Sequence, residues 1–462
     1  MSSLSLLESV KVDIKRALVD KNLPIFGGLS TYAKSIRSGG KTLLPKGTKL
    51  ACSKFATIPD YDFSLITDTS GMFFKCQSLK EASLPSIKCS GDTTSMFRGC
   101  HSLITVGQLD TSECYDMDMM FMDCSSLTTI PQMNTSRVLH MGDMFVGCSS
   151  LTTIPLLDTS RVRNMGAMFV GCSSLTTIPL LDTSSCEDMV MMFKDCSSLT
   201  TIPLLNTSSV LSMWGMFENC SSLTTIPLLD TSSCDTMYKM FMGCSSLTTI
   251  PLLNTSNVLS MWGMFSGCSE LTSIPQIDTS SVEYMDRMFE NCSSLTTIPL
   301  LDTSRVRSME GMFSGCSKLT SISQIDVLGV TELRDFLNGC TSLTTIHQLD
   351  TSYAKRMDRM FKNCSSLTTI PRLNTMNVES MTDSFIGCSN LQHLGGFLSL
   401  RSSICLFWSP LLTHESLMNV INNLGDVNDI DGYRYLVLSE TNLAKLTDDE
   451  IAIATDKGWI VN

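Results

Sequence analysis

Cysteine recurs every 24 residues from Cys52 to Cys388, fifteen times, with no insertion or deletion. Around each cysteine lies one phrase, which at residues 172–195 reads CSSLTTIPLLDTSSCEDMVMMFKD. A period of this size marks a stacked array, in which a single unit cannot cover its own apolar side and each neighbour covers it instead. The period overrides the several domains that 462 residues would otherwise suggest.

Within one repeat, Asp182, Thr183 and Ser184 precede an apolar stripe of Cys186, Met189, Met192, Phe193 and Cys196. This spacing predicts a short helix, with Ser184 and Glu187 at capping-box distance, as are Ser280 and Glu283. From Asp123 to Gly387 the residue before each repeated cysteine is Gly, Asn or Asp. These residues tolerate left-handed backbone and are expected to end the helix. Leu175, Ile178 and Leu181 then follow at a spacing of three. Such spacing suits a tight arc holding one very short strand, with Pro179 at the strand end because proline has no ladder donor. Thr176, Thr177 and their equivalents are expected to line the sheet.

The expected fold class is therefore α/β: a leucine-rich-repeat solenoid of 24-residue turns, each with a short helix and a short parallel strand. A helical N-terminal module is expected at residues 1–45 and the solenoid, of about 14–15 turns, at 46–396. An α/β cap is expected at 397–462, with helices near 413–424 and 447–457 and a strand near 434–439.

The chain has 20 cysteines, a number that invites a disulfide scaffold. Equivalent side chains on stacked turns point the same way, however, so one column of buried free thiols is expected. Five histidines and no CxxC pair speak against zinc. A net charge of −12 argues against nucleic acid and anionic membranes. No apolar run is long enough to span a bilayer. The start, MSSLSLLESVKVDIKRALVD, lacks a basic n-region and a clean apolar core, so export under its own signal is not expected. No histidine recurs beside a serine or cysteine in an activating motif, and no phosphate-cradling glycine loop is present. No enzyme activity, catalytic residue, cofactor or metal is expected. Calcium at the column Asp158, Asp182, Asn206, Asp230, Asn254, Asp278 and Asp302 competes with capping, the simpler reading.

The phrases MF-xx-C-xx-L and DTS-x-V-xx-M resemble those of BspA-like leucine-rich repeat surface proteins, over about residues 52–394. The repeat at 323–340, SQIDVLGVTELRDFLNGC, departs from the pattern, and Ser323 and His347 replace proline. VDIKRALVDKNLP…LSTYAKSIRSG is similar to a helical module of phage tail and virion proteins. LTHESLMNVINNL…LVLSETNLAKLTDDEIAIATDKGWIVN is similar to the C-terminal segment of such proteins from gut phages and prophages. These resemblances imply a phage virion adhesin, tail- or fibre-associated, attached to a virion structural protein through residues 1–45. It would present its repeats to a host-cell carbohydrate or protein. A bacterial or protist cell-surface protein is the alternative, and a spacer without ligand is a third reading.

Positions that vary from turn to turn are the informative ones for binding. The residue after the first methionine of the stripe runs Gly142, Gly166, Val190, Trp214, Tyr238, Trp262, Asp286, Glu310. Three successive aromatics at solenoid spacing, about 4.8 Å, would form an exposed ridge suited to a sugar or protein. The competing reading packs these rings against neighbouring helices, or has them inherited from one duplicated pair, since VLSMWGMF stands at both 210–217 and 258–265. Tyr284, Arg137, Arg161 and Arg305 complete the candidate surface.

Overall fold

The structure is a computed structural model that describes residues 37–38, 41–44, 48–50, 55–59, 61–84, 87–322 and 325–462. Cys52, Ser323 and most of the expected N-terminal module lie outside these residues. The described end of that module is not helical: Arg37–Ser38 pairs antiparallel with Lys41–Leu43, which pairs parallel with Tyr61–Asp62. The chain forms two compact units, one ending at Cys172 and one running from Ser173 to Asn462. Both are built from 24-residue solenoid turns.

Why the turns stack is visible in the amides around Phe193. The N–H groups of Met191, Phe193 and Asp195 donate to Trp214 O, Met216 O and Glu218 O on the next turn, at 2.8, 2.9 and 2.7 Å. The amides between them, from Met192, Lys194 and Cys196, bond back three residues at 3.0–3.1 Å. The expected helix is therefore absent, and a run of tight turns replaces it. An α-helix would spend every amide four residues back and leave none to hold the neighbouring turn. The apolar stripe is nonetheless buried as its spacing implied, with Cys186, Met189, Met192, Phe193 and Cys196 all fully covered.

Without a helix there is no capping box at Ser184 or Ser280. Their amides instead donate to Asp182 Oδ1 and Asp278 Oδ1 at 3.0 Å, closing Asx turns. The threonine of the DTS or NTS phrase is buried and in most repeats ties one turn to the next: Thr183 Oγ1 donates to Asn206 O at 2.9 Å, and Thr207 Oγ1 to Asp230 O at 2.7 Å. Short parallel pairs stand in the first repeats, Glu81–Ala82 with Thr105–Val106 and Lys88–Asp92 with Asp110–Asp116. In the middle repeats the expected strand shrinks to single long bonds, such as Thr200 N to Thr176 O at 3.2 Å and Thr248 N to Thr224 O at 3.4 Å. Two-residue strands survive near the last repeats, where Thr369–Ile370 pairs parallel with His393–Leu394.

The core is a set of columns. Phe193, Phe217, Phe241, Phe265, Phe289 and Phe313 stack face to face at 5.6–5.8 Å. The described repeated cysteines are buried and unpaired by disulfide. Most donate their thiol to the phenylalanine carbonyl of the preceding turn, as Cys244 Sγ does to Phe217 O at 3.0 Å, while Cys76 and Cys364 use Leu50 O and Leu337 O. True helices appear beyond the repeats, at His414–Asn422, Glu440–Leu443 and Asp448–Thr455. The first of these lies against the last turn, with Ser416 Oγ accepting from Leu394 N at 3.1 Å. Strands Ile404–Cys405, Arg434–Val437 and Trp459–Val461 form a parallel sheet beside it.

Candidate binding surface

The aromatic column forms, but its rings are partly used up. In the Ser173–Asn462 unit, Trp214 is 42% exposed while Tyr238 and Trp262 are half-buried. Trp214 meets Tyr238 edge-on at 5.8 Å, and Tyr238 stacks on Trp262 at 4.9 Å. Lys239 Nζ sits 5.3 and 5.2 Å from the centres of Tyr238 and Trp262, and the Arg287 guanidinium lies 5.9 Å from Trp262. The ridge is thus a self-packed stack with a cationic cover. Tyr284 is exposed but belongs to the column on the other side of the methionines, bridging Ser260 and Ser308. Arg305 is exposed and pairs with Glu283 at 3.4 Å.

Arg137 and Arg161 belong to the unit ending at Cys172. Arg137 pairs with Glu113, and both arginines line a cleft of about 790 Å³ with Lys88 and Tyr115.

A second column passed unremarked in the sequence and dominates the surface. Leu180, Leu204, Leu228, Leu252 and Leu300 are 62–64% exposed, while the leucine after each is buried. Leu180, Leu204, Leu228 and Leu252 line a groove of about 1000 Å³. Leu252 and Leu300 line a second of about 1380 Å³, continuous with it through Leu252 and Asn254. The signal lay in the substitutions: the same column holds Gln132, Gln276, Gln348 and Arg372, residues that no core position accepts.

The acidic column runs along the grooves. Asp182, Asp230 and Asp302 each accept the hydroxyl and the amide of the serine two residues on, which holds their carboxyls below the usual carboxylate value. For Asp278 the Ser280 amide is the leading cause of the same shift. Among the described residues no group of three or more His, Cys, Asp or Glu side chains is placed to hold a metal ion. Burial pushes the thiols of Cys244 and Cys388 up to about 12, so the repeated cysteines are packing groups rather than nucleophiles.

Fold and surface together define a leucine-rich-repeat solenoid with a grooved, leucine-lined flank. The chain belongs to the family described as "Mycoplasma protein of unknown function, DUF285", which matches residues 49–152, 91–199, 150–251, 224–319 and 296–396. No curated protein matches it. Among solved structures, a leucine-rich repeat protein from Bacteroides ovatus is similar at 18% identity and a TM-score of 0.41, over 78% of this chain and 96% of that one. One from Eubacterium ventriosum is similar at 18% identity and 0.43, over 67% and 83%. A leucine-rich cell surface protein from Faecalibacterium prausnitzii is similar at 22% identity and 0.32, over 68% and 86%. Among the described residues no helix is long and apolar enough to cross a membrane.

Proposed function

We propose that this protein is a non-enzymatic binding protein with an adhesion role, holding its ligand along the side of its repeats. The observation that carries this reading is the leucine column. Large apolar side chains left open over successive turns and gathered in a groove mark an interaction surface. A spacer would gain nothing from them. The inert thiols support the non-enzymatic half of the reading. The self-packed Trp214, Tyr238 and Trp262, with Tyr284 and Arg305, are a secondary surface in the same unit. Arg137 and Arg161 are a separate candidate in the other unit.

The setting we favour is a phage virion, with residues 1–45 attaching to a virion structural protein, 46–396 presenting the ligand surface and 397–462 closing the array. The likeness of both ends to gut-phage segments supports it, and free thiols suit assembly in a reducing compartment. Placement on a bacterial cell surface is the competing reading, supported by the resemblance of the repeats to surface proteins. An immunoblot of purified particles separates the two.

The binding role is tested on host cells with two variants whose folding is checked by circular dichroism. Leu204→Gln with Leu228→Gln is expected to lose most binding. Trp214→Ala with Tyr238→Ala and Trp262→Ala is expected to retain most of it. Undiminished binding by both variants would overturn the reading.

A further inference from the structure

From the chemistry along the groove we infer that the leucine column takes an extended polypeptide segment of about ten residues, apolar in one half and rich in lysine or arginine in the other. This rests on the binding role proposed above and names the partner's chemistry. Length comes first. The two continuous grooves run from Leu180 to Asp350, with the column residues Leu180 and Gln348 seven repeats apart. At about 4.8 Å per turn this is about 34 Å, and an extended chain advances about 3.3 Å per residue.

Polarity changes along that length. Toward one end Leu180, Leu204 and Leu228 stand in successive turns with only Asp182 and Asp230 as charges. Toward the other, Gln276 and Gln348 interrupt the leucines, while Asp278, Asp302, Asp326 and Asp350 give four successive turns a carboxylate. No Lys, Arg or His is among the described residues lining either groove. The occupant must therefore bring its own cations at one end and apolar side chains at the other.

The main chain supplies a third, independent observation. Where the column holds glutamine, its amide donates to the carbonyl of the same column one turn on: Gln276 Nε2 to Leu300 O at 2.7 Å and Gln348 Nε2 to Arg372 O at 2.7 Å. Where it holds leucine, as at Leu180, Leu204 and Leu228, the next carbonyl loses that donor. A row of carbonyls reachable from the groove side suits a polypeptide partner, whose amides can take the place of the glutamine. A second copy of this chain, with its net charge of −12, would bring repulsion to the acidic half. Among the described residues no aromatic ring lines either groove to offer a sugar a stacking platform.

The chain itself provides variants that should keep the fold. Leu204→Gln with Leu228→Gln copies Gln276, and Asp302→Asn with Asp326→Asn copies Asn206, whose Oδ1 closes the same Asx turn from Ser208 N at 3.1 Å. A random ten-residue peptide library is selected on the intact protein, and the recovered peptides are measured by fluorescence anisotropy. Peptides with an apolar half and a basic half are expected, bound at least tenfold more weakly by either double variant and weakened by salt. Recovery of peptides without a basic half, or binding indifferent to Asp302→Asn with Asp326→Asn, would overturn the inference. So would no enrichment over the leucine double variant. A concentration-dependent dimer, or uptake on phosphatidylcholine vesicles, that the leucine variants abolish would assign the groove to a second copy or a lipid surface and would also overturn it. Host-cell binding lost by the leucine variants with no such peptides recovered leaves the adhesion role standing and removes this partner.

Discussion

Ala167, Met191, Lys239, Arg287 and Arg359 hold φ of 53–56°, in a column where Gly215, Gly263 and Gly311 also stand. Left-handed backbone costs a residue with a Cβ roughly 1–2 kcal/mol, so strain recurs along the array. Ala167→Gly is expected to raise stability by about 0.5–1 kcal/mol. Gly263→Ala is expected to lower it by about 1–2 kcal/mol, because its new Cβ meets only ordinary contacts, at 3.7 Å or more. Urea midpoints of the two variants check the pair; shifts of the same sign would refute it. Gly171, at φ +73°, occupies the second left-handed column, the one its Gly/Asn/Asp pattern revealed. Gly171→Val should cost about 2 kcal/mol by the same measurement. The first column gave no such pattern, since side chains as unlike as Met, Lys and Asp occupy it. The thiols make a further residue-scale prediction. With Cys244 and Cys388 pushed up to about 12 by burial, Ellman's reagent at pH 8 should react natively only with Cys405 and with Cys52, which lies outside the described residues. Every thiol should react in guanidinium, and a native disulfide among the repeats would contradict the packing account.

At the scale of the element, the unit of structure is a run of turns closed by Asx hydrogen bonds, and these titrate. Asp182, Asp230 and Asp302 have folded values below the unfolded one, chiefly because a serine hydroxyl donates to each. A depressed carboxyl contributes stability that is fully present above its unfolded value, about 3.9, and is lost as pH falls through the folded value. These groups should therefore leave stability flat from pH 6 to 8 and reduce it below about pH 4. Replacing the three by Asn keeps the turn, as Asn206 and Asn254 do. The variant's urea midpoint should then drop less between pH 7 and pH 3 than the parent's. An equal drop would place the acid sensitivity elsewhere. The helix expected in each repeat was misread because Cys186, Met189, Met192 and Phe193 fit the period of a helix and of successive tight turns equally well. Only the destination of the alternate amides, Trp214 O and Met216 O rather than a carbonyl four residues back, separates the two.

On the scale of the whole molecule, an array has an open end that must be covered. Phe397 packs on Phe385 at 6.0 Å, and Leu417, Val420 and Ile421 of the helix His414–Asn422 are buried where another repeat would stack. A chain ending at residue 396 should expose that face and sediment as aggregates; a monodisperse truncated protein would remove this role from residues 397–462. The sequence by itself determined the 24-residue period, the buried columns of cysteine, methionine and phenylalanine and one of the two left-handed positions. Each follows from local identity repeated in register, where a side chain's own volume or backbone tolerance decides its place. Only the tertiary structure decided that the repeat is turns rather than helix and that Trp214, Tyr238 and Trp262 stack on one another. The outward turn of Leu180 is written in the glutamines of its column, but which carbonyl an amide reaches and which ring a tryptophan meets depend on contacts between residues about 24 apart that no local pattern records.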